Sequence, residues 1–160
     1  EDVDVQHYGC AALNNLAVND ENKEKIGKEG GIKMILAAME NYLSNSDVQH
    51  YGCAALNNLA VNDNNKEKIA TEGGITVPIS AMKNQPSNEN VQQYGCRALN
   101  NLAKNNNNKV AIGNADGKGA IVSALVNYAS NADVQTNGKE ALSNFDPLGY
   151  FILGIFRRIT

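Results

Sequence analysis

Histidine at 7 and 50, cysteine at 10, 53 and 96, and the loop GNADGKG at 113–119 are the features of this chain that could ligate a metal, attack a substrate or hold a phosphate. Spacing argues against each. Zinc needs CxxC or clustered Cys/His, and no such cluster occurs. The loop has three residues between Gly113 and Gly117-Lys118 where a phosphate loop has four, and Gly119 stands where that loop needs Ser or Thr. No nucleophile, base and orienting group fall together. The histidines become Gln93 and Thr136 at the matching positions further along, so chemistry that relied on them would serve half the chain. They read as polar surface residues able to make pH-sensitive contacts. No catalysis, metal or cofactor is expected.

What the cysteines do show is a period. DVQHYGCAALNNLAVND at 4–20 returns unchanged at 47–63, as NVQQYGCRALNNLAKNN at 90–106 and as ADVQTNGKEALSNFDPL at 132–148. Val5, Val48, Val91 and Val134 mark a step of 43 residues. One unit of that size cannot bury its own apolar face, so a fixed period means a stacked array.

Each copy reads as a helix. At 3.6 residues per turn Val5, Gly9, Ala12, Leu13 and Leu16 gather on one side, the spacing of a buried stripe. Asp4, Tyr8, Ala11, Asn15 and Val18 gather on another side, which leaves this helix two faces with two tasks. Glycine at 9, 52, 95 and 138 costs a helix interior about 1 kcal/mol against Ala. Its recurrence predicts close backbone approach by a packed neighbour. NKEKI at 22–26, NKEKI at 65–69 and NKVAI at 108–112 predict short helices that end at EGG, EGG and NADGKG. A second apolar helix follows at 32–43, 75–82 and 119–129, with Pro78 in a first turn where it is tolerated. Ser or Asn in the polar linkers can cap the next long helix. Helices stacked one repeat apart lie about 8–10 Å from each other, beyond the roughly 7 Å Cα limit of a disulfide, so the cysteines are expected as small buried or half-buried thiols.

The chain is one elongated domain whose core is a row of seams between repeats. Net charge −3 and pI near 5.4 leave no basic footprint for nucleic acid or anionic lipid. The longest apolar run, GYFILGIF at 149–156, is far short of the roughly 20 residues of a membrane span. With no secretory signal, a cytoplasmic or nuclear home is the expectation.

A unit of short helix, Gly-Gly kink, second helix and long VQxxGxxALxNLA helix resembles the armadillo repeat over about residues 3–145. The resemblance implies an all-α fold, a right-handed α-solenoid of three-helix repeats whose long third helices line a concave groove. It further implies that an Asn near the end of each third helix bonds the backbone of an extended partner; the matching positions are Asn15, Asn58, Asn101 and Asn144. A carboxamide carries one acceptor and two donors, so a row of them can hold main chain regardless of sequence. The alternative is that these Asn bridge adjacent helices. The importin pattern also places Trp one turn earlier, where this chain has Ala11, Ala54, Arg97 and Glu140, so slots for lysine stems are missing. Two turns before the Asn stand Tyr8, Tyr51 and Tyr94, which offer apolar area and a hydroxyl to a partly wet surface, or else wedge into the seam.

The expected division is an array over 1–145, with a partial first repeat at 1–19 and repeats at about 20–62, 63–105 and 106–145. Residues 146–160 form an apolar tail, read as a terminal cap, an out-of-frame or cloning-derived tail, or a membrane or partner-binding segment. The chain opens directly on a third helix, which suggests a fragment of a longer array and self-association through the exposed N-terminal face. The function expected is a non-enzymatic adaptor that binds a protein or extended peptide in the groove. Its peptide-binding residues would be Asn15, Asn58, Asn101, Asn144, Tyr8, Tyr51, Tyr94, Arg97 and Glu140. The alternative is a scaffold arm of a larger, possibly enzymatic, protein that acts by packing.

Overall fold

A computed structural model describes residues 2–146 of the chain, so the expectations for the tail beyond Asp146 lie outside the described residues. Ten helices and no strand occur among them. They are α1 (Val3–Leu16), α2 (Asp20–Lys28), α3 (Gly31–Asn41), α4 (Ser46–Leu59), α5 (Asp63–Thr71), α6 (Thr76–Asn84), α7 (Glu89–Leu102), α8 (Asn106–Asn114), α9 (Gly117–Asn127) and α10 (Ala132–Phe145). After the lone α1 they fall into three triplets of short, second and third helix. The third helices α1, α4, α7 and α10 lie side by side and make the most extensive contacts in the molecule. The second helices α3, α6 and α9 form a neighbouring row. This is an all-α solenoid of armadillo-type repeats.

Asparagine starts most of the helices. Asn19, Asn62 and Asn105 cap the short helices, and Asn45, Asn88 and Asn131 cap the third helices, each accepting from backbone N–H groups of the first turn. Asp2 does the same for α1. At the kink, Gly30 (φ 86°) and Gly73 (φ 85°) take the left-handed conformation. Asp116 (φ 59°) replaces them in the last repeat, a position a short polar side chain tolerates, and its carboxylate accepts from Gly119 N. The next glycine is required for space: a Cβ on Gly74 would lie 2.8 Å from the Ile69 carbonyl oxygen.

Leu56, Leu59, Leu99, Leu102 and Leu142 are fully buried along the third helices, together with Ile32, Ile35, Ile69, Ile112 and Ile121. Gly52, Gly95 and Gly138 receive side chains, not a neighbouring backbone as the spacing suggested. The thioethers of Met39 and Met82 lie against Gly52 and Gly95, and Leu125 with Ile121 lies against Gly138. The thiols are free and buried, and burial pushes Cys10 up to about 11 and Cys53 and Cys96 up to about 12.

A glutamine, buried at Gln49 and Gln92 and half-buried at Gln135, ties each second helix to the third. Gln49 Nε2 donates to the carbonyls of Met39 (2.8 Å) and Tyr42 (2.9 Å), Gln92 to Met82 (2.8 Å) and Gln85 (3.0 Å), and Gln135 to Leu125 (2.8 Å) and Tyr128 (3.3 Å). The Met39, Met82 and Leu125 carbonyls are end-of-helix groups without an intrahelical partner, and the same carboxamide adds a bond to the Tyr42, Gln85 and Tyr128 carbonyls, which also accept from Asn45, Asn88 and Asn131 N.

Candidate functional site

The row of third helices carries every residue expected at the site, and the structure divides them into two sets. The Asn set faces the neighbouring helix. Asn58 Nδ2 donates to the backbone oxygen (3.2 Å) and side-chain oxygen (3.0 Å) of Asn14, and Asn101 Nδ2 donates in the same way to Asn57 (3.3 and 3.0 Å). Asn144 Nδ2 reaches Asn100 Oδ1 at 3.2 Å. Asn57 returns a bond to Asn58 Oδ1 at 3.1 Å, and Lys104 Nζ donates to Asn101 Oδ1 at 2.8 Å. The donors of Asn58 and Asn101 are thus all engaged inside the array. Asn15 is exposed and has no such partner among the described residues.

The first Asn of each LNN pair (Asn14, Asn57, Asn100), which receives these bonds, was not singled out from sequence. Nor was the glutamine tie, although Gln6, Gln49, Gln92 and Gln135 share one register and carried the signal. Buried Asn65 and Asn108 act similarly on the short-helix side, donating to the carbonyls of Lys23 (2.8 Å) and Lys66 (3.2 Å) one repeat earlier.

The aromatic set forms a strip across three helices. His7 stacks on Tyr8 (ring centroids 4.6 Å) and on Tyr51 of the next repeat (5.2 Å). His50 stacks on Tyr51 (4.4 Å) and lies tilted against Tyr94 (5.3 Å). The Arg97 guanidinium sits 5.6 Å from the Tyr94 centroid and closes the series. The order is therefore Tyr8, His7, Tyr51, His50, Tyr94, Arg97. Tyr8 is 67% exposed, whereas Tyr51 and Tyr94 rest partly on the core. Burial holds His50 below the ordinary histidine value; Asp47 opposes this and His7 adds to it. A neutral imidazole results, which stacks between tyrosines without a charge to solvate.

Arg97 and Glu140 are engaged at the far end. Arg97 pairs with Asp133 at 2.8 Å, Gln93 donates to the same carboxylate at 2.9 Å, and Glu140 accepts from Asn100 at 2.7 Å. No group of three or more His, Cys, Asp or Glu among the described residues is placed to hold a metal ion. No helix among them is long and apolar enough to cross a membrane.

Near α1 the repeated pattern is open. Val5 is 64% exposed and Leu16 52%, while their counterparts Val48 and Leu59 are fully buried. A Cβ on Gly9 would meet nothing within 4 Å, and Gln6 holds no carbonyls among the described residues.

The crystal structure of an engineered protein is similar to this chain, with a TM-score of 0.78 and 25% sequence identity. The match covers 90% of this chain and 57% of that one. No curated protein sequence matches. The model of the family described as LRRK2 ARM repeat matches residues 1–149. With the short, second and third helices in register, the kink and the seams in place, this chain belongs to that armadillo-repeat family.

Proposed function

We propose that this chain is a non-enzymatic protein-interaction module whose third-helix face holds an extended segment of a partner protein. The observation that carries this reading is the aromatic strip. Tyr8, Tyr51 and Tyr94 stand one repeat apart, and none of their hydroxyls bonds another described residue, whereas Tyr128 spends its own on Pro86 O. In this reading Tyr8, Tyr51 and Tyr94 offer apolar surface and donors, and Asn15 and Asn144 grip backbone. Arg97 and Glu140 read side chains at the far end, and Asn58 and Asn101 exchange internal bonds for partner bonds. Tyr8 and Asn15 are both exposed, so replacing them leaves the fold intact. Peptides selected from a random display library on the wild-type chain should bind Tyr8→Ala with Asn15→Ala at least about tenfold more weakly, as for loss of one aromatic anchor and its rim. Undiminished binding would sink the groove reading.

A second reading, a scaffold arm of a larger protein that acts by packing, is favoured by the Asn bonds that already run between repeats. It carries a companion proposal, association of two copies through the open flank of α1. Exposed Val5 and Leu16 there surround a glycine that elsewhere receives a Met or Leu side chain. Light scattering should show concentration-dependent association of the wild type that Leu16→Glu abolishes. A wild type that stays monomeric at high concentration removes this proposal.

A further inference from the structure

The spacing of the aromatic strip selects a partner conformation. Ring-to-ring steps of 4.6 and 5.2 Å, then 4.4 and 5.3 Å, place successive tyrosines at most just under 10 Å apart. A β-strand rises about 3.3 Å per residue and alternates its faces, so three residues cover that distance but turn the third side chain away. A polyproline II helix rises about 3.1 Å per residue with three residues per turn, and presents the same face every 9.3 Å or so. Residues i, i+3 and i+6 of such a helix would each meet one tyrosine.

The hydrogen-bonding chemistry agrees. A polyproline II segment has no internal hydrogen bonds and leaves its carbonyls as free acceptors, and its prolines have no N–H to satisfy. Tyr8, Tyr51 and Tyr94 offer hydroxyl donors that nothing else among the described residues uses. Ring faces inside the strip are taken up by the imidazoles, and the Tyr94 ring is also covered by Arg97. A partner cation therefore cannot lie between the rings. Charge sits beside the strip instead. Asp4 and Asp47 lie one turn before Tyr8 and Tyr51, are exposed and make no salt bridge to a described residue; Glu89, also exposed, begins α7. Arg97, the cation at the other end, is already neutralised by Asp133.

We infer that the strip of Tyr8, Tyr51 and Tyr94 binds a proline-rich segment in the polyproline II conformation, with a basic residue of that segment beside Asp4 and Asp47. This deepens the groove reading and rests on it. The ligand class differs from an extended strand in presenting the same face at every third residue.

Fluorescence anisotropy with the whole 160-residue chain and three labelled twelve-residue peptides tests it. One peptide carries proline at every third position and a terminal arginine. The second has the same composition with the prolines grouped, and the third has the same charge and no proline. The first should bind at least about tenfold more tightly than the others. Tyr51→Phe, which keeps the ring, should weaken it about three- to tenfold, as for loss of one hydrogen bond. Asp4→Asn with Asp47→Asn should remove both the salt dependence and the preference for the arginine. Equal affinity for all three peptides, or no binding by any, overturns the inference. If equal binding is still lost in Tyr8→Ala, the groove reading survives and only the polyproline conformation fails. If it is indifferent to Tyr8→Ala, both fail.

Discussion

Replacing Gln49 by Glu is expected to destabilise the array by about 3–5 kcal/mol at neutral pH, the range for leaving an uncompensated charge in a buried site. The Gln49 side chain is fully buried and donates to two carbonyls, at 2.8 and 2.9 Å. A carboxylate there loses both bonds and brings a negative charge up to two acceptors. Its second oxygen gains nothing, because the oxygen Gln49 Oε1 it would replace has no donor partner. Gln49→Leu, which removes the bonds without adding charge, should cost less, about 1–3 kcal/mol, because it leaves the Met39 carbonyl unsatisfied while the Tyr42 carbonyl keeps its bond from Asn45 N. The pH dependence follows from the sign of the shift. Burial opposite carbonyls raises the folded-state pKa of the new carboxyl above its unfolded value of about 4.3. The variant therefore regains stability relative to wild type as pH falls toward 4 and loses it as pH rises. Urea midpoints of wild type, Gln49→Leu and Gln49→Glu between pH 4 and 8 check this. Equal midpoints for the two variants at every pH would mean that the site relaxes to admit water.

Asn58→Ala combined with Asn101→Ala is expected to lower stability by about 2–3 kcal/mol, about 1–1.5 kcal/mol per half-buried carboxamide that leaves a neighbouring carbonyl unpaired. Each side chain links two repeats, Asn58 tying α4 to α1 and Asn101 tying α7 to α4. In a linear array the loss falls on the interface between neighbours, so hydrogen exchange should quicken first in α1, which among the described residues packs along one other third helix, α4. Asn15→Ala, at the same register but exposed and unbonded, should change stability by less than about 0.5 kcal/mol. The contrast separates two uses of one residue type. If the double variant were as stable as wild type yet lost captured peptides, Asn58 and Asn101 would belong to recognition and the interhelical bonds would be incidental.

The sequence by itself determined the architecture, because the information needed was periodic. A step of 43 residues, a 3.6-residue apolar stripe in each copy and Gly-Gly at the first two kinks depend on covalent connectivity and local sterics, and both are written along the chain. The solenoid, the short, second and third helices, the first-turn place of Pro78 and the buried, unpaired thiols were all legible on that basis. Even the substitution of Asp116 for glycine fell at the expected kink, since the left-handed conformation is a local demand that Asp can meet.

Contacts between repeats were decided only by the tertiary structure. A helical wheel gives the azimuth of Asn58 but not the lateral offset of the adjacent helix, and that offset determines whether its carboxamide reaches Asn14 or water. The same offset brings His7 of one repeat onto Tyr51 of the next, which no spacing within a single repeat could reveal. It also determines that Gly52 receives the Met39 thioether, where sequence suggested a backbone. Gln49 shows the reason most directly. Its partners Met39 and Tyr42 lie only ten and seven residues away, yet the bonds exist only because the turn after α3 folds the helix end back over α4. Propensity and periodicity fix where a side chain points relative to its own helix, whereas what it meets is fixed by how the helices pack.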